Sequence, residues 1–383
     1  MHQRNSSTPS ASAASVSREE QCARYLADDL YAPLPSVGLV VRPVPHVFGE
    51  QQQPELATKT LALSRSVRLG HGSYNTVWSA ELAGKPVVLR IAAQAALSHK
   101  EVAEAGVIAP VIDSFEPVAA QGWTVRPAQF HGVAEVPAVF GDRVKNGEWS
   151  NAQTMTPEHH MEGAQFGVVQ GLVMDRAPGV TLKQHLKMMS SGDRVPLEKV
   201  RDLVVGMSHW IDAAMKHDLV HSDLKSANLM ASPHEITLID HTPMTVSELK
   251  RLAEPDGFVF VKGTQNYTDI YGMNKAADAL AAGHIDEDQF RRALVASQMR
   301  AVAIIALECL NGGKHPVSDH PERARRGQMG MVESETYEHA LQQISSRYKA
   351  SPTAEVNGMI NLLRSYIKGS QRNQGPMFMK ELP

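Results

Sequence analysis

At 383 residues the chain is long enough for one large domain or two lobes, and 43% hydrophobic with 21% charged residues is the balance of a soluble globular protein. A formal net charge of -3 and a pI of about 6.6 give no electrostatic reason to expect a nucleic acid or an anionic membrane as partner. Two cysteines, Cys22 and Cys309, exclude a disulfide framework and a cysteine-based zinc site; Cys309, in an apolar run, is read as buried packing.

The first twenty residues, MHQRNSSTPSASAASVSREE, are rich in serine, with Val16 the one large aliphatic side chain. Such a segment buries too little surface to offset its ordering entropy, so it is expected to be disordered, either as an uncleaved export address or as a plain flexible tail. No apolar signal-peptide core is present, and the longest apolar run, AVAIIALECL (301–310), is by itself too short to cross a bilayer. Residues 21–60 are mixed, with scattered prolines, and give no clear element.

From Leu63 the texture changes. VRLGHGSYNTVWSAEL followed by KPVVLRIA predicts strand, glycine turn, strand, short turn and strand. SHKEVAEAGV predicts a short helix and IAPVIDSFEP a return to a strand. Residues 117–170 are poor in pattern and rich in Gly, Pro, Gln and His, and read as an insertion or long loop; the pair His159 and His160 within it reads as solvated. GLVMDRAPGVTLKQHL (171–186) is an apolar strand running through a Pro-Gly turn into a helix. LEKVRDLVVGMSHWIDAAMKHD (197–218) has apolar residues at helical spacing and is predicted to be a core helix. Directly after it, HSDLKSANLM (221–230) gathers a His, an Asp, a Lys and an Asn, and EITLIDHT (235–242) reads as a short strand ending at Asp240. KGTQNYTDIYG (262–272) precedes a stretch that is helical to the end, including QMRAVAIIALECLNGG, stopped by glycines.

Taken together, LGHGSYNTV (69–77), VVLR (87–90), LVMDRAPG (172–179), HSDLKSANLM, the Asp-terminated strand and KGTQNYTDIYG resemble, in order and spacing, a eukaryotic-type Ser/Thr protein kinase domain. The resemblance covers roughly 65–320 and implies an α+β, two-lobed fold: a small strand-rich N-lobe over 61–174 with an insertion at about 117–170, and a larger helical C-lobe over 175–383. It leaves 1–60 as a disordered or unassigned N-terminal region.

The resemblance also implies roles. Gly70 and Gly72 would let backbone N–H groups approach the phosphates of ATP, and Val77 would cover the adenine. Arg90 stands where the family has its phosphate-binding Lys, which keeps the charge but presents a planar fork. Glu101 is its expected partner on the first helix, ahead of Glu104. Met174 would back the adenine pocket, and backbone groups of Asp175 and Ala177 would bond the adenine edge. Asp223 would orient the substrate hydroxyl and take its proton, Lys225 would reach the γ-phosphate, and Asn228 and Asp240 would hold Mg2+ through hard oxygens. His221 would tie the loop to the metal-binding segment.

The chain departs from the family pattern at Asn75, Arg90, His241-Thr242 and Gln298. Asp269, Ile270 and Tyr271 stand where the family has A-P-E, and Ser222 stands where many members carry the Arg that clamps an activation-loop phosphate. The leading expectation is transfer of the ATP γ-phosphoryl group to Ser/Thr hydroxyls of a protein, in a constitutive enzyme or one switched on by a partner. A pseudokinase scaffold and a small-molecule phosphotransferase are the other readings. The divergent domain behind a Ser-rich head is similar to bacterial effector kinases delivered into host cells, which implies a host protein as substrate; otherwise the chain would be cytoplasmic.

Overall fold

Two strand-forming runs about a short turn build an antiparallel hairpin, β4 (Asn75–Leu82) and β5 (Lys85–Ala92), which buries Trp78, Ala80, Leu82, Val87, Leu89 and Ile91. Its two-residue turn, Ala83-Gly84, has φ of 50° and 78°, the sign that matches the twist of the flanking strands. A computed structural model describes residues 39–42, 59–62, 68–71, 75–92, 95–140, 165–189, 194–254, 264, 267–316, 334–347 and 354–372. The Ser-rich head, Gly72, the His159–His160 pair and Gly263 lie outside the described residues.

The protein is α+β and divides into two compact units. Unit 1 comprises the described residues of 1–43, 52–102 and 131–174; unit 2 comprises those of 103–130 and 175–383. Unit 1 is built on a seven-stranded sheet. Besides β4 and β5 it contains β1 (Leu39–Arg42), β2 (Lys59–Ala62), β3 (Arg68–His71), β7 (Phe130–Phe140) and β8 (Gln165–Asp175), in the order β2-β1-β7-β8-β5-β4-β3. A further pairing of β2 with β4 closes the sheet on itself. β2 lies beside the far end of β4 (Leu61↔Leu82) and β3 beside its start (Gly70↔Val77), so the two share one edge of the same strand. This pairing covers the edge that β2 would otherwise leave open. The stretch 21–60, patternless in sequence, thus supplies β1 and the start of β2, with Val41 on β1 at 3% and Leu61 on β2 at 0% exposure.

Two expectations are corrected. Helix α1 (Ala95–Ser114) does not stop before IAPVIDSFEP but runs on through Pro110. Proline there forfeits a helical hydrogen bond, yet Ile108, Val111 and Ile112 are buried in the core of unit 2, and that burial outweighs local propensity. Nor is 117–170 a continuous loop: β6 (Thr124–Pro127) and β7 lie inside it, and β8 begins at Gln165. Gly132 and Pro137, which read as loop punctuation, sit within a paired strand.

In unit 2, β6 runs parallel to β12 (Glu235–Leu238) in a four-stranded sheet of order β6-β12-β11-β9, with β11 (Leu229–Ala231) and β9 (Val180–Thr181). Helix α2 (Leu182–Met188) follows β9 behind a capping box made by Thr181 and Gln184. Helix α3 (Leu197–Lys216) packs on β6, and Gly206 is what allows it: a Cβ there would fall 2.5 Å from the Val125 Cβ. A two-stranded pair, β10 (Leu219–His221) with β13 (Pro243–Thr245), precedes α4 (Val246–Lys250). The remainder is helical: α5 (Ile270–Ala281), α6 (Glu287–Leu310), α7 (Ser334–Arg347) and α8 (Ala354–Arg372). The run 301–310 proves to be the second half of α6, a helix long and apolar enough to cross a membrane by length and composition. Here almost all of it is buried as the core against α3, α7 and α8. Cys309 is packed inside it, and burial, together with the charge of Glu308, pushes its thiol well above the usual range.

Two substitutions test these contacts. Leu61→Ala is expected to cost about 2–5 kcal/mol in urea unfolding, because the side chain is fully buried in the closed sheet. Gly179 has φ of 86° and an added Cβ would meet the Ala231 carbonyl oxygen at 2.0 Å, so Gly179→Ala is expected to cost more than about 1 kcal/mol. An unchanged urea midpoint in either variant would contradict the packing described.

Candidate functional site

The hairpin register sets the unit 1 group. Val77 pairs with Gly70 on one side and with Arg90 on the other, so the three lie side by side across β3, β4 and β5. Arg90 is half-buried, and its Nη2 lies 3.4 Å from Glu101 Oε1 on α1. Glu104, one helical turn on, is half-buried as well. Lys85 and Lys100, the neighbouring cations in sequence, are both exposed. At the end of β8, Met174 is buried at 3% exposure.

In unit 2 the strand continues to Asp175, whose backbone N–H donates to the Gln129 carbonyl at 2.9 Å. Its carboxylate accepts from Arg126 at 3.0 Å and from the Gln129 N–H at 3.3 Å. Two residues on, Ala177 is half-buried.

The 221–228 loop brings together every side chain singled out in it. Strand β10 delivers His221, and the 3-10 turn Ser226–Asn228 folds the chain back so that the Asn228 side chain returns to Asp223. Asn228 Nδ2 donates to the Asp223 carbonyl at 2.9 Å and to Asp223 Oδ2 at 3.3 Å. A carbonyl only accepts, so the amide nitrogen must face it and Oδ1 is the atom available to a hard cation. Lys225 Nζ donates to Asp223 Oδ2 and, at 3.0 Å, to Thr264 Oγ1, while Thr264 Oγ1 donates to Asp223 Oδ1 at 2.8 Å. Asp223, Lys225 and Thr264 therefore form a closed triangle in which both carboxylate oxygens are engaged.

His221 fixes the next segment. Its Nε2 meets the Asp240 carbonyl at 2.8 Å and its Nδ1 meets the Asp223 N–H at 3.2 Å. The carbonyl accepts and the amide donates, so the ring is the neutral tautomer with its proton on Nε2. Burial depresses its basicity in the same sense, against the opposing charge and hydrogen bond of Asp240. The Asn228 carbonyl accepts from the Ile239 N–H at 3.0 Å, so the residue before Asp240 is tied to the same loop. Asn228 and Asp240 offer two hard-oxygen side chains, the donor set Mg2+ takes when phosphate and water complete its shell. Among the described residues no group of three or more His, Cys, Asp or Glu is arranged as a metal cage.

Several departures from the family pattern are hydrogen-bonded within unit 2. His241 is buried, its Nε2 3.2 Å from the Ala128 carbonyl and its ring between Phe130 and Trp210 at 5.6 and 5.7 Å. Ser222 donates through both N–H and Oγ to the Thr242 carbonyl, each at 3.1 Å, and its own carbonyl accepts from Thr268 Oγ1 at 2.8 Å. Gln298, buried at 2% exposure, accepts the His221 N–H at 2.9 Å. Asp269 caps α5 by accepting from the Gly272 N–H and lies 3.7 Å from Arg300. Tyr267 donates its hydroxyl to the buried Glu308 at 2.6 Å and lies 3.2 Å from Ser226 Oγ. The sequence placed Thr264 and Tyr267 in the segment that resembles the one seating a substrate peptide, but singled out neither Glu308 nor Arg126. Thr264 and Tyr267 stood in a quoted motif, whereas Arg126 gave no signal, because its partners are remote in sequence.

No protein-family model matches the chain, and no curated protein matches it. Among solved structures, a double-mutant form of the Mycobacterium tuberculosis PknI kinase domain is similar over 81% of this chain and 96% of that one, at 17% identity and a TM-score of 0.39. The Cydia pomonella granulovirus kinase PK-1 is similar over 81% of this chain and 89% of that one, at 14% identity and a TM-score of 0.43. Likenesses of this size add nothing to the residue geometry, and the functional argument rests on that geometry alone.

Proposed function

We propose that the protein transfers the γ-phosphoryl group of ATP, with Mg2+, to a Ser or Thr hydroxyl of a protein substrate. The observation that carries this reading is the closed triangle of Asp223, Lys225 and Thr264, with Asn228 bonded to the same carboxylate. Phosphoryl transfer asks the protein for an oriented hydroxyl, cations on the transferred group and hard oxygens for the metal. Asp223 accepts the substrate O–H, whose oxygen attacks the γ-phosphorus as the bond to the β-γ bridging oxygen breaks; the proton passes to Asp223 and ADP leaves. Lys225, a compact ammonium with a third N–H to give, donates to the transferred group. Asn228 and Asp240 are the residues that would hold a magnesium ion, whose charge would offset that of the phosphates. Arg90, braced by Glu101, supplies the cation of unit 1.

Asp223→Asn is expected to reduce turnover by about 10²–10⁴-fold while nucleotide affinity holds, because Asp223 acts on the hydroxyl and not on ATP. Asp240→Ala is expected to weaken Mg-ATP binding itself, measured by calorimetry. Wild-type labelling rates in the Asp223→Asn protein would refute the assignment. A wild type that binds Mg-ATP and labels nothing, itself included, would favour the pseudokinase reading.

Arg90→Ala is expected to remove most activity, by about 10²–10³-fold, since a preorganised cation in a desolvated site contributes several kcal/mol to the transition state. Arg90→Lys should retain part of it. Full activity in Arg90→Ala would move the clamp elsewhere.

Ser222 holds the Thr242 carbonyl with a neutral hydroxyl, and it has no charge with which to bind a loop phosphate. Activity is therefore expected not to depend on phosphorylation at Thr242, Thr245 or Ser247. Phosphatase treatment, verified by mass spectrometry, should leave the rate within about tenfold of the untreated enzyme. A larger fall, restored by rephosphorylating one of those residues, would overturn this.

A further inference from the structure

We infer that Arg126 is a positioning residue for the nucleotide: it bridges Asp175 to Glu235 and so fixes the segment 175–177 whose backbone meets the adenine edge. This rests on the ATP reading given above. Arg126 lies on β6, and its guanidinium reaches two carboxylates through different nitrogens, Nη1 to Asp175 Oδ2 at 3.0 Å and Nε to Glu235 Oε2 at 2.8 Å. The three side chains are 24–29% exposed, so the pairs are partly shielded from solvent. Only a planar fork can hold two acids in this manner; an ammonium is a single point of charge. Burial works against the Arg126 charge, but hydrogen bonds to Glu235 and Asp175 more than offset it and hold the group above its ordinary value.

The geometry directs the bridge at one place. Glu235 opens β12, the strand that leads to Asp240, and its other oxygen accepts from Thr237 Oγ1 at 2.6 Å. Strands β6 and β12 are hydrogen-bonded in parallel from Glu235↔Thr124 to Leu238↔Pro127, so Arg126 starts from a rigid strand. Asp175, by contrast, is where the chain leaves β8 for the half-exposed 176–180 segment. Its backbone bond to Gln129 and its side-chain bond to Arg126 are both made to the 126–129 stretch. Removing Arg126 would leave Asp175 and Glu235 as like charges around a vacated space, and Asp175 would turn away. Asp223, Lys225 and Asn228 are anchored separately through His221 and Gln298, so the loss falls on adenine recognition and not on the chemical step.

A brace that only stabilises the fold would lower the melting temperature without distinguishing ligands. The test is therefore to titrate the purified full chain with Mg-ATP and, in parallel, with Mg-tripolyphosphate, which carries the phosphates without the adenine. Arg126→Gln and Asp175→Asn are each expected to weaken ATP binding about tenfold or more while tripolyphosphate binding stays within about twofold. Arg126→Lys should fall between, and the Arg126→Gln/Asp175→Asn double variant should be no weaker than the worse single one, because both act through one bond. In turnover, KM for ATP should rise far more than kcat falls. ATP affinity in Arg126→Gln equal to wild type, or an equal loss for both ligands, would overturn the inference; should Arg126→Gln not fold, wild-type ATP affinity in Asp175→Asn would do the same. A wild type that binds neither ligand would remove the proposed function along with it, whereas a wild type that binds ATP beside an unaffected Arg126→Gln removes this inference alone.

Discussion

The bond from the His221 backbone N–H to the Gln298 amide oxygen, 2.9 Å long and sealed inside unit 2, is the one on which the 221–228 loop hangs. Gln298 projects from α6, the most buried helix, so the loop is referred directly to the core. A neutral amide is well suited to that place. It accepts the N–H and, through its own nitrogen, donates to the Leu294 carbonyl at 3.4 Å, whereas a carboxylate there would need a partner for its charge. From that anchor His221 distributes the constraint: one ring nitrogen to the Asp223 N–H, the other to the Asp240 carbonyl. One buried, uncharged imidazole thereby ties Asp223 and the Asp240 segment together.

A second layer of polar contacts lies around this anchor and has the same logic of satisfying each buried group locally. Glu308 is a carboxylate at 4% exposure, which is tolerable only because Tyr267 donates to it at 2.6 Å and draws in Ser226. Ser222 and Thr268 tie the loop to residues on both sides of the 255–263 stretch, through the Thr242 carbonyl and the Ser222 carbonyl respectively. Asp269 combines a helix cap with an ion pair to Arg300, whose guanidinium also lies over the Tyr337 ring at 5.6 Å. Of these residues Ser222 and Asp269 differ from the family pattern, and each is held by hydrogen bonds of its own.

Unit 1 solves another problem. Its sheet presents Val77 and Arg90 on adjacent strands and covers β2 against β4, recruiting β1 and β2 from a stretch with no visible pattern. Each of these strands is four residues long, too short to declare itself by alternation. Their place is decided by neighbours: Leu61 by β4, and Val41 by Ala134 on β7.

The sequence by itself determined the elements whose chemistry is local. The β4–β5 hairpin follows from two strand-like runs about a short turn, α3 from helical spacing, the second half of α6 from a strongly apolar run stopped by glycines, and the 221–228 loop from one short string whose members meet because a single 3-10 turn brings Asn228 back to Asp223. Tertiary structure alone decided the rest. Pro110 stays helical because the residues around it are buried, β6 is a strand because Gly206 lets α3 approach Val125, and Arg126 matters because folding brings Asp175 and Glu235 to its two sides. In each of these cases local propensity is worth a fraction of a kcal/mol to a few kcal/mol and burial or ion pairing of remote residues is worth as much or more, so what a residue does depends on partners that only the fold brings to it.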